Sequence, residues 1–462
     1  MQDIVIEQNP WWQDRSKIDN DPVIQKFNLA KHKYFFPYID RIELKPEFVY
    51  ILRGPRQVGK TTLIKLLIKK ILTTNTPEVV FYLDFQQAGI NKPRKIFDIL
   101  KSYIDMIGNK QNYIFLDEVT YTKNWSDGIE SAVNFGLLKN SLVFCTGSNA
   151  LDLYHGSTRL PGRRGKILAN DLSLQPLSFR EYTSLLFPEV YAKIRLMTFE
   201  NIMDVENIYK ELFPYDEIIR KAFEKYIITG GFLPVINSVS EKTIPDYIYK
   251  LYSDAIIGDI LRIGKREQYF REIINFIINV LGNPFDYRDI SRETDVGKHT
   301  TAREYIEDCE QLFMLNIFYK MQSYGQNKPS FRSGKKVYFS DPIYLYSLFS
   351  YCRGLGFNES SIRSYFQDDM KKGIIVEGIV GTHLKRKFPN NIFYWKNSKE
   401  IDFVITGSGI PIEVKYKNKV SISGLRYLSK YAKEKVFVLS KNDFYSENKI
   451  LIIPVYYFLL FI

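Results

Sequence analysis

Nine consecutive residues, Gly54-Pro55-Arg56-Gln57-Val58-Gly59-Lys60-Thr61-Thr62, have the types a phosphate needs. Two glycines let the backbone turn tightly enough to aim successive N–H groups at one anion, and the lysine adds a mobile cation. A hydroxyl directly after that lysine is placed to ligate a Mg²⁺ ion held by the phosphates. A second group is Asp117-Glu118, which follows the apolar run Tyr113-Ile114-Phe115-Leu116. A carboxylate pair after a buried run is costly without a cation. Asp117 would hold the Mg²⁺ shell through water, and Glu118 would polarise a water attacking phosphorus, which marks hydrolysis rather than binding alone. A third group is Asp402, Glu413 and Lys415, spaced D-x10-E-x-K, with Glu377 upstream in the apolar stretch IIVEGIVGTHL. Two carboxylates of this kind can share a Mg²⁺ or Mn²⁺ ion, and the lysine can orient or activate a water.

These groups demand particular elements. FVYILR reads as a buried strand and residues 61 to about 72 as an amphipathic helix, so the nine residues form a strand-to-helix turn at a helix N-terminus. Residues 113–116 suit a parallel strand covered on both faces. A third strand, SLVFCTGSNA at 141–150, ends in polar residues. Its tip would sense a γ-phosphate through Thr146, Ser148 or Asn149, of which Ser148 is preferred; the other reading makes Ser148 or Asn149 a helix cap. Near the C-terminus, FYWK and EIDFVIT read as antiparallel strands, and a turn at Gly407-Ser408-Gly409 leads into IPIEVKY. The side-chain period of two puts Glu413 and Lys415 on one face, with Asp402 on the paired strand. Three charges over an apolar sheet need a cation and a phosphate, or each other.

Between these regions the chain reads as helical. Residues 190–265 carry aromatic and aliphatic residues three and four apart, as a lid would. Residues 271–320 parse as a helix, a turn at Gly282-Asn283-Pro284, a short helix over 287–293, a turn at Asp295-Val296-Gly297 and a long helix from about His299, which predicts a winged helix. On its third helix Lys298, His299, Thr300 and Arg303 would face a DNA groove, but Glu304, Glu307, Asp308 and Glu310 would repel phosphate.

Of the 64 Lys+Arg and 52 Asp+Glu, residues 331–462 hold 21 and 11, a balance of +10, against 43 and 41 in the first 330 residues. The excess positive charge therefore lies where a phosphate-backbone partner is most plausible; a lysine-rich solvated surface is the bland alternative. Cys145, Cys309 and Cys352 lie far apart with no CxxC pair, and four scattered histidines form no ligand cluster. The N-terminus lacks a signal-peptide pattern, and the apolar tail ILIIPVYYFLLFI is too short to span a bilayer, so it reads as a last buried strand in a cytoplasmic protein without a membrane partner.

Taken together, the phosphate-binding turn, LDE, TGSNA, the Gly162-Arg163-Arg164-Gly165 loop and LQPLSFREY resemble AAA-type archaeal and bacterial P-loop ATPases. Those proteins often carry a C-terminal domain related to the PD-(D/E)xK nucleases. YIITGGFLPVI and the N-terminal NPWW add to the resemblance, which covers essentially the whole chain. It implies an arginine finger or sensor at Arg163. D-x10-E-x-K resembles the nuclease signature and Glu377 its upstream acid, although the glutamine-containing helix motif of some nucleases is not evident in SGLRYLSKYAKEK. The expected fold is α/β: an AAA-type parallel sheet with a helical lid, a winged helix and a C-terminal PD-(D/E)xK-like domain. The expected boundaries are 1–190 for the ATPase core, 191–267 for the lid, 268–332 for the winged helix and 333–462 for the nuclease-like domain. The expected cofactors are ATP and Mg²⁺, with a second Mg²⁺ or Mn²⁺ at the C-terminal domain. DNA is the expected partner of that domain, and a homo-oligomer or a protein partner is left open. The expected function is a Mg-dependent ATPase coupled to a DNA-binding nuclease-like domain, with DNA cleavage left open; the alternative is a nucleotide-switched scaffold or regulator whose nuclease-like domain binds partners without catalysis.

Overall fold

The computed structural model describes residues 2–37, 39, 42, 44–46, 48–158, 171–195, 197–239, 243–354, 356 and 359–462. The chain divides into two compact units, Met1–Gln175 and Pro176–Ile462.

In the first unit five strands, β1 (Phe48–Arg53), β2 (Val80–Asp84), β3 (Asn112–Asp117), β4 (Ser141–Thr146) and β5 (Asp171–Ser173), form a parallel sheet in the order β2-β3-β4-β1-β5. The period of two divides each strand between two cores. Tyr113 and Phe115 pack with Ile64, Leu67 and Ile68 of the helix Lys60–Leu72. Ile114 and Leu116 pack with Ile96, Leu100, Trp125 and Ile129 from the helices Pro93–Ile107 and Trp125–Asn134. This double burial explains why β3 reads as an unbroken apolar run.

β2 is an edge strand, and the N-terminal segment covers it with side chains. Asn9 exchanges hydrogen bonds with the backbone of Tyr82 (2.7 and 2.8 Å), Gln8 accepts from Asp84 N–H (2.7 Å), and both Trp11 and Trp12 donate their indole N–H to Val80 O (2.9 Å each). The amides thus stand in for a missing neighbouring strand and close an edge that would otherwise invite pairing with another chain. That is the physical work of the NPWW stretch.

The second unit starts at Pro176 because Leu174, the first residue of LQPLSFREY, bonds Arg53 O of the first unit (2.8 Å), whereas Leu177 and Phe179 are bound within the second. Leu177 N–H donates to Gly231 O (2.8 Å), Tyr226 O–H to Leu177 O (2.8 Å), and Phe179 N–H to His383 Nε2 (2.8 Å). The expected break at 190/191 instead falls inside the helix Pro188–Ile194. The helices Glu267–Val280, Tyr287–Glu293 and His299–Gln311 follow in order, then a hairpin of β6 (Leu315–Met321) and β7 (Pro329–Phe339). β7 runs across the expected 332/333 boundary. Its hairpin joins β8 (Ile392–Lys396), β9 (Glu400–Ile405), β10 (Ile410–Lys415), β11 (Val436–Ser440), β12 (Tyr445–Glu447) and β13 (Ile450–Pro454) in one mixed sheet, ordered β12-β13-β11-β10-β9-β8-β6-β7. The tail after β13 is a short buried helix, Val455–Phe458. Among the described residues no helix is long and apolar enough to cross a membrane.

The Gly-Gly pair at 230–231 and Asp341 explain each other. Asp341 is buried at the N-terminus of the helix Pro342–Arg353, where Oδ1 accepts Ile343 N–H (2.9 Å) and Oδ2 accepts Gly231 N–H (2.8 Å). Asp341 is therefore the cap of this helix. Gly230 has φ +61°, and a Cβ there would lie 1.9 Å from Asp341 Oδ1. Asp341→Ala strands two buried N–H donors, so it is expected to destabilise this unit by about 2–6 kcal/mol, at about 1–3 kcal/mol for each buried unpaired group. Denaturant unfolding checks this, and a loss below about 0.5 kcal/mol would show that these bonds are dispensable.

Candidate functional site

β4 lies between β1 and β3, so its tip stands between the phosphate-binding turn and Asp117. Open parallel sheets bind ligands at such carboxyl-terminal strand ends. The helix Lys60–Leu72 begins after Gly59, whose φ of +102° favours glycine. Pro55 and Val58 are buried in the turn, Arg56, Thr61 and Thr62 are half-buried, and Gln57 is exposed at its tip. Lys60 Nζ donates to Gly54 O and Pro55 O, both at 2.9 Å, so the lysine folds back over the carbonyls of its own loop.

Asp117, 1 % exposed, collects donors from four directions. Thr61 Oγ1 (2.8 Å) and Tyr82 O–H (3.1 Å) donate to Oδ2; Thr146 Oγ1 (3.1 Å) and Glu118 N–H (3.0 Å) donate to Oδ1. Burial, and after it the charge of Glu118, raises the Asp117 pKa; the hydroxyl bonds act against this. All four are neutral donors, so the carboxylate is bonded but not neutralised by them. A divalent ion beside Thr61 and Asp117 would supply the missing charge, and these residues fit Mg²⁺.

Glu118 sits at φ +51°, and its Oε2 accepts Ser148 N–H at 2.8 Å. The two residues assigned separately from sequence, one to water and one to sensing, are thus hydrogen-bonded to each other. The capping role falls to Asn149, whose Oδ1 accepts Asp152 N–H at 3.1 Å in the helix Ala150–Thr158. Arg163 and its loop lie outside the described residues. Tyr82 was missed, and so was the line of groups behind it. Lys65 Nζ lies 3.3 Å from the Tyr82 ring centroid and 3.0 Å from Asp21 Oδ2, with Lys65 nearly buried. A tyrosine inside the apolar β2 run, one strand from the predicted acid, was the available signal. Asp84 at the tip of β2, in register with Asp117, was also missed; burial raises its pKa.

In the second unit Asp402 and Glu413 occupy adjacent strands, as expected, with Phe403 paired to Ile412. Lys415 Nζ meets Glu413 Oε1 at 2.5 Å. Glu377 joins them from the helix Asp369–Lys387. The unexpected member is Lys336 of β7, with its side chain 1 % exposed. Its Nζ lies 2.8 Å from Glu377 Oε1, 2.6 Å from Glu400 Oε1 and 3.2 Å from Asp402 Oδ1. Tyr338 O–H also bonds Glu377 Oε1, and Val414 N–H donates to Asp402 Oδ2 at 2.8 Å. Burial acts against the charge on Lys336, but Asp402 and Glu377 outweigh it and raise its pKa. Four carboxyls meet three ammoniums here, since Lys396 Nζ also lies 3.0 Å from Glu400 Oε2 at the exposed side of the cluster. Burial, then the charge of Asp402, pushes Glu413 up to about 8 and Glu377 up to about 7.

The second divalent ion expected at Asp402, Glu413 and Glu377 does not fit this arrangement. Unlike Asp117, whose donors are all neutral, these acids already meet cations: Glu377 Oε1 and Asp402 Oδ1 bond the Lys336 ammonium, and Glu413 Oε1 bonds that of Lys415. Of the cluster, Glu413 Oε2 is buried without a hydrogen-bond partner. Among the described residues no group of three or more His, Cys, Asp or Glu is arranged to hold a metal. The signal missed was KKVYF, a lysine pair entering a buried strand.

Three family profiles match parts of the chain: an AAA domain over residues 46–183, a domain of unknown function (DUF8612) over 220–372, and another (DUF4143) over 372–458. No curated protein matches the sequence. Solved structures similar to it include a Walker-type ATPase of Pyrococcus abyssi, with 13 % identity and TM-score 0.39, covering 65 % of this chain and 91 % of that one. The ORC2 protein of Aeropyrum pernix in ADPNP–ADP complexes has 12 % identity and TM-score 0.34, covering 69 % and 91 %. A RuvB mutant of Thermotoga maritima has 13 % identity and TM-score 0.29, covering 68 % and 89 %.

Proposed function

We propose that this protein, an AAA-type P-loop ATPase, uses Mg·ATP to control nucleic-acid binding by its C-terminal sheet. The observation that carries the ATPase half is the 2.8 Å bond between Thr61 and Asp117, with Glu118 at the same strand end. It brings the metal-ligating hydroxyl, the buried acid and the candidate base to one place, although 56 residues separate the first two. Bound Mg²⁺ would offset phosphate charge. Lys60 would exchange the carbonyls of Gly54 and Pro55 for phosphate oxygens, and backbone N–H groups of residues 54–62 would hold the rest of the phosphate chain. Glu118, once released from Ser148 N–H, would orient a water toward phosphorus and accept its proton. Ser148 would then turn the freed N–H or its hydroxyl toward the γ-phosphate, and an arginine at 163 would complete the charge.

The nucleic-acid half rests on the +10 balance of residues 331–462 and on its placement. Lys417, Lys419, Arg426 and Lys430 are exposed in the segment after β10, directly beyond Lys415. The helices Glu267–Val280, Tyr287–Glu293 and His299–Gln311 with the β6–β7 hairpin support a winged-helix reading of that region. Its third helix is less suited to phosphate, since Arg303 is paired with Glu307 at 2.7 Å. Because β7 crosses residue 331, the full chain and not a fragment is the proper reagent. The triple change Lys417→Glu, Lys419→Glu, Arg426→Glu is expected to weaken DNA binding at least about tenfold and to flatten its salt dependence, while ATP hydrolysis without DNA persists. Filter binding across a salt series checks this. Unchanged affinity and slope would remove the C-terminal sheet as the nucleic-acid surface.

The reading without cleavage, a nucleotide-switched binder, is favoured over DNA cleavage by one observation: the ammonium of Lys336 among the carboxylates.

A further inference from the structure

We propose that Lys336 is the resident cation of the C-terminal carboxylate cluster, taking the place a divalent ion holds in a nuclease. The inference deepens the non-cleaving reading of this domain and is independent of whether the domain binds nucleic acid, which the salt series reads separately.

An ammonium has three N–H donors, and Lys336 directs them at three acceptors on two elements: Glu377 on its helix, and Glu400 and Asp402 on β9. Each donor therefore has an acid. The side chain reaches them from a strand 66 residues before Asp402 and is almost wholly out of water. Lysine is rarely buried unless paired, and here the pairing is complete. Charge is the reason for the arrangement. Four carboxyls converge near β9 and β10; Lys415, whose side chain is 41 % exposed, bonds Glu413, and Lys396 bonds the outer oxygen of Glu400. Without Lys336, Glu377 and Asp402 would face each other with no cation between them. With it, a divalent ion could enter only by displacing a buried ammonium, leaving that charge without a counterpart. Glu413 Oε2 has no hydrogen bond of its own, but an ion there would stand against the ammoniums of Lys336 and Lys415 on the neighbouring acid oxygens.

The test counts ions on the full chain, nucleotide-free, with Asp117→Asn to silence the first unit's metal position. Mn²⁺ binding is followed by electron paramagnetic resonance and the melting temperature by calorimetry. With Lys336 intact, no tightly bound Mn²⁺ is expected and added Mn²⁺ should leave the melting temperature unchanged. Lys336→Met should lower the melting temperature by roughly 5–10 °C, the scale for opening a buried ion pair. It should also gain one Mn²⁺, which restores part of that loss and disappears on adding Asp402→Asn. Should Lys336→Met fail to fold, the intact protein alone decides: one Mn²⁺ bound there and removed by Asp402→Asn overturns the proposal. So does a Lys336→Met protein that melts where its parent does.

Discussion

Glu118→Gln is expected to lower ATP turnover by about 10²–10⁴-fold, the range for loss of a positioned general base, with ATP binding close to wild type. The glutamine keeps an oxygen that can accept Ser148 N–H, so the 2.8 Å bond survives and the loop at φ +51° is not disturbed. What it loses is the capacity to take a proton from water. Binding should therefore be retained while the chemical step fails, which separates this change from any change that unfolds the site. Single-turnover hydrolysis beside equilibrium nucleotide binding gives the answer. Turnover within about threefold of wild type, well below the 10²-fold scale, would take the base role away from Glu118. A parallel drop in affinity would mean instead that Glu118 serves the loop.

Lys60→Ala should act at the other end of the cycle. Charge-assisted hydrogen bonds contribute about 1.5–3 kcal/mol each, so losing two to phosphate oxygens should weaken ATP affinity by at least about 10²-fold. The structure adds a second effect. Lys60 Nζ now bridges Gly54 O and Pro55 O, and without it those carbonyls lose the donor that holds the turn closed. The loss of the phosphate bonds reduces the stabilisation that bound ATP gives the fold, so the ATP-induced rise in melting temperature should shrink. The loss of the carbonyl bonds lowers the melting temperature of the nucleotide-free protein. Lys60→Arg is a useful companion, because it keeps the charge but not the compact ammonium. An alanine variant that binds ATP as wild type does would show that the lysine never turns from its loop to the phosphates.

Much of the architecture was legible because it is written locally. The turn at 54–62 declares itself through two glycines and a lysine between an apolar strand and an amphipathic helix, and the helix begins at Lys60, one residue before the expected start. The short helix over 287–293 and the helix from His299 follow from turn residues and from apolar spacing at 3.6. The β9–β10 hairpin follows from alternation and the Gly407-Ser408-Gly409 turn. Domain limits were less legible. A strand such as β7 reads the same whether it ends one domain or joins the next sheet, and Pro176 reads as a turn until its neighbours' hydrogen bonds to residues 231 and 383 are seen.

The sequence alone determined that a phosphate-binding type of turn and an Asp-Glu pair follow apolar strands, and that two acids and a lysine share a hairpin near its C-terminus. Those facts rest on residue type and spacing within a few turns of chain. Only the tertiary structure decided that Glu118 is held by Ser148, that Tyr82 donates to Asp117, that Gln8 and Asn9 complete the edge of β2, and that Lys336 stands among Glu377, Glu400 and Asp402. Each of these joins groups 30 or more residues apart. The partner of a buried charge is chosen by which strands and helices pack together, and no local period encodes that choice. In the C-terminal cluster the same acids would hold a metal ion or an ammonium, and the fold, by threading β7 into the sheet, chose the ammonium.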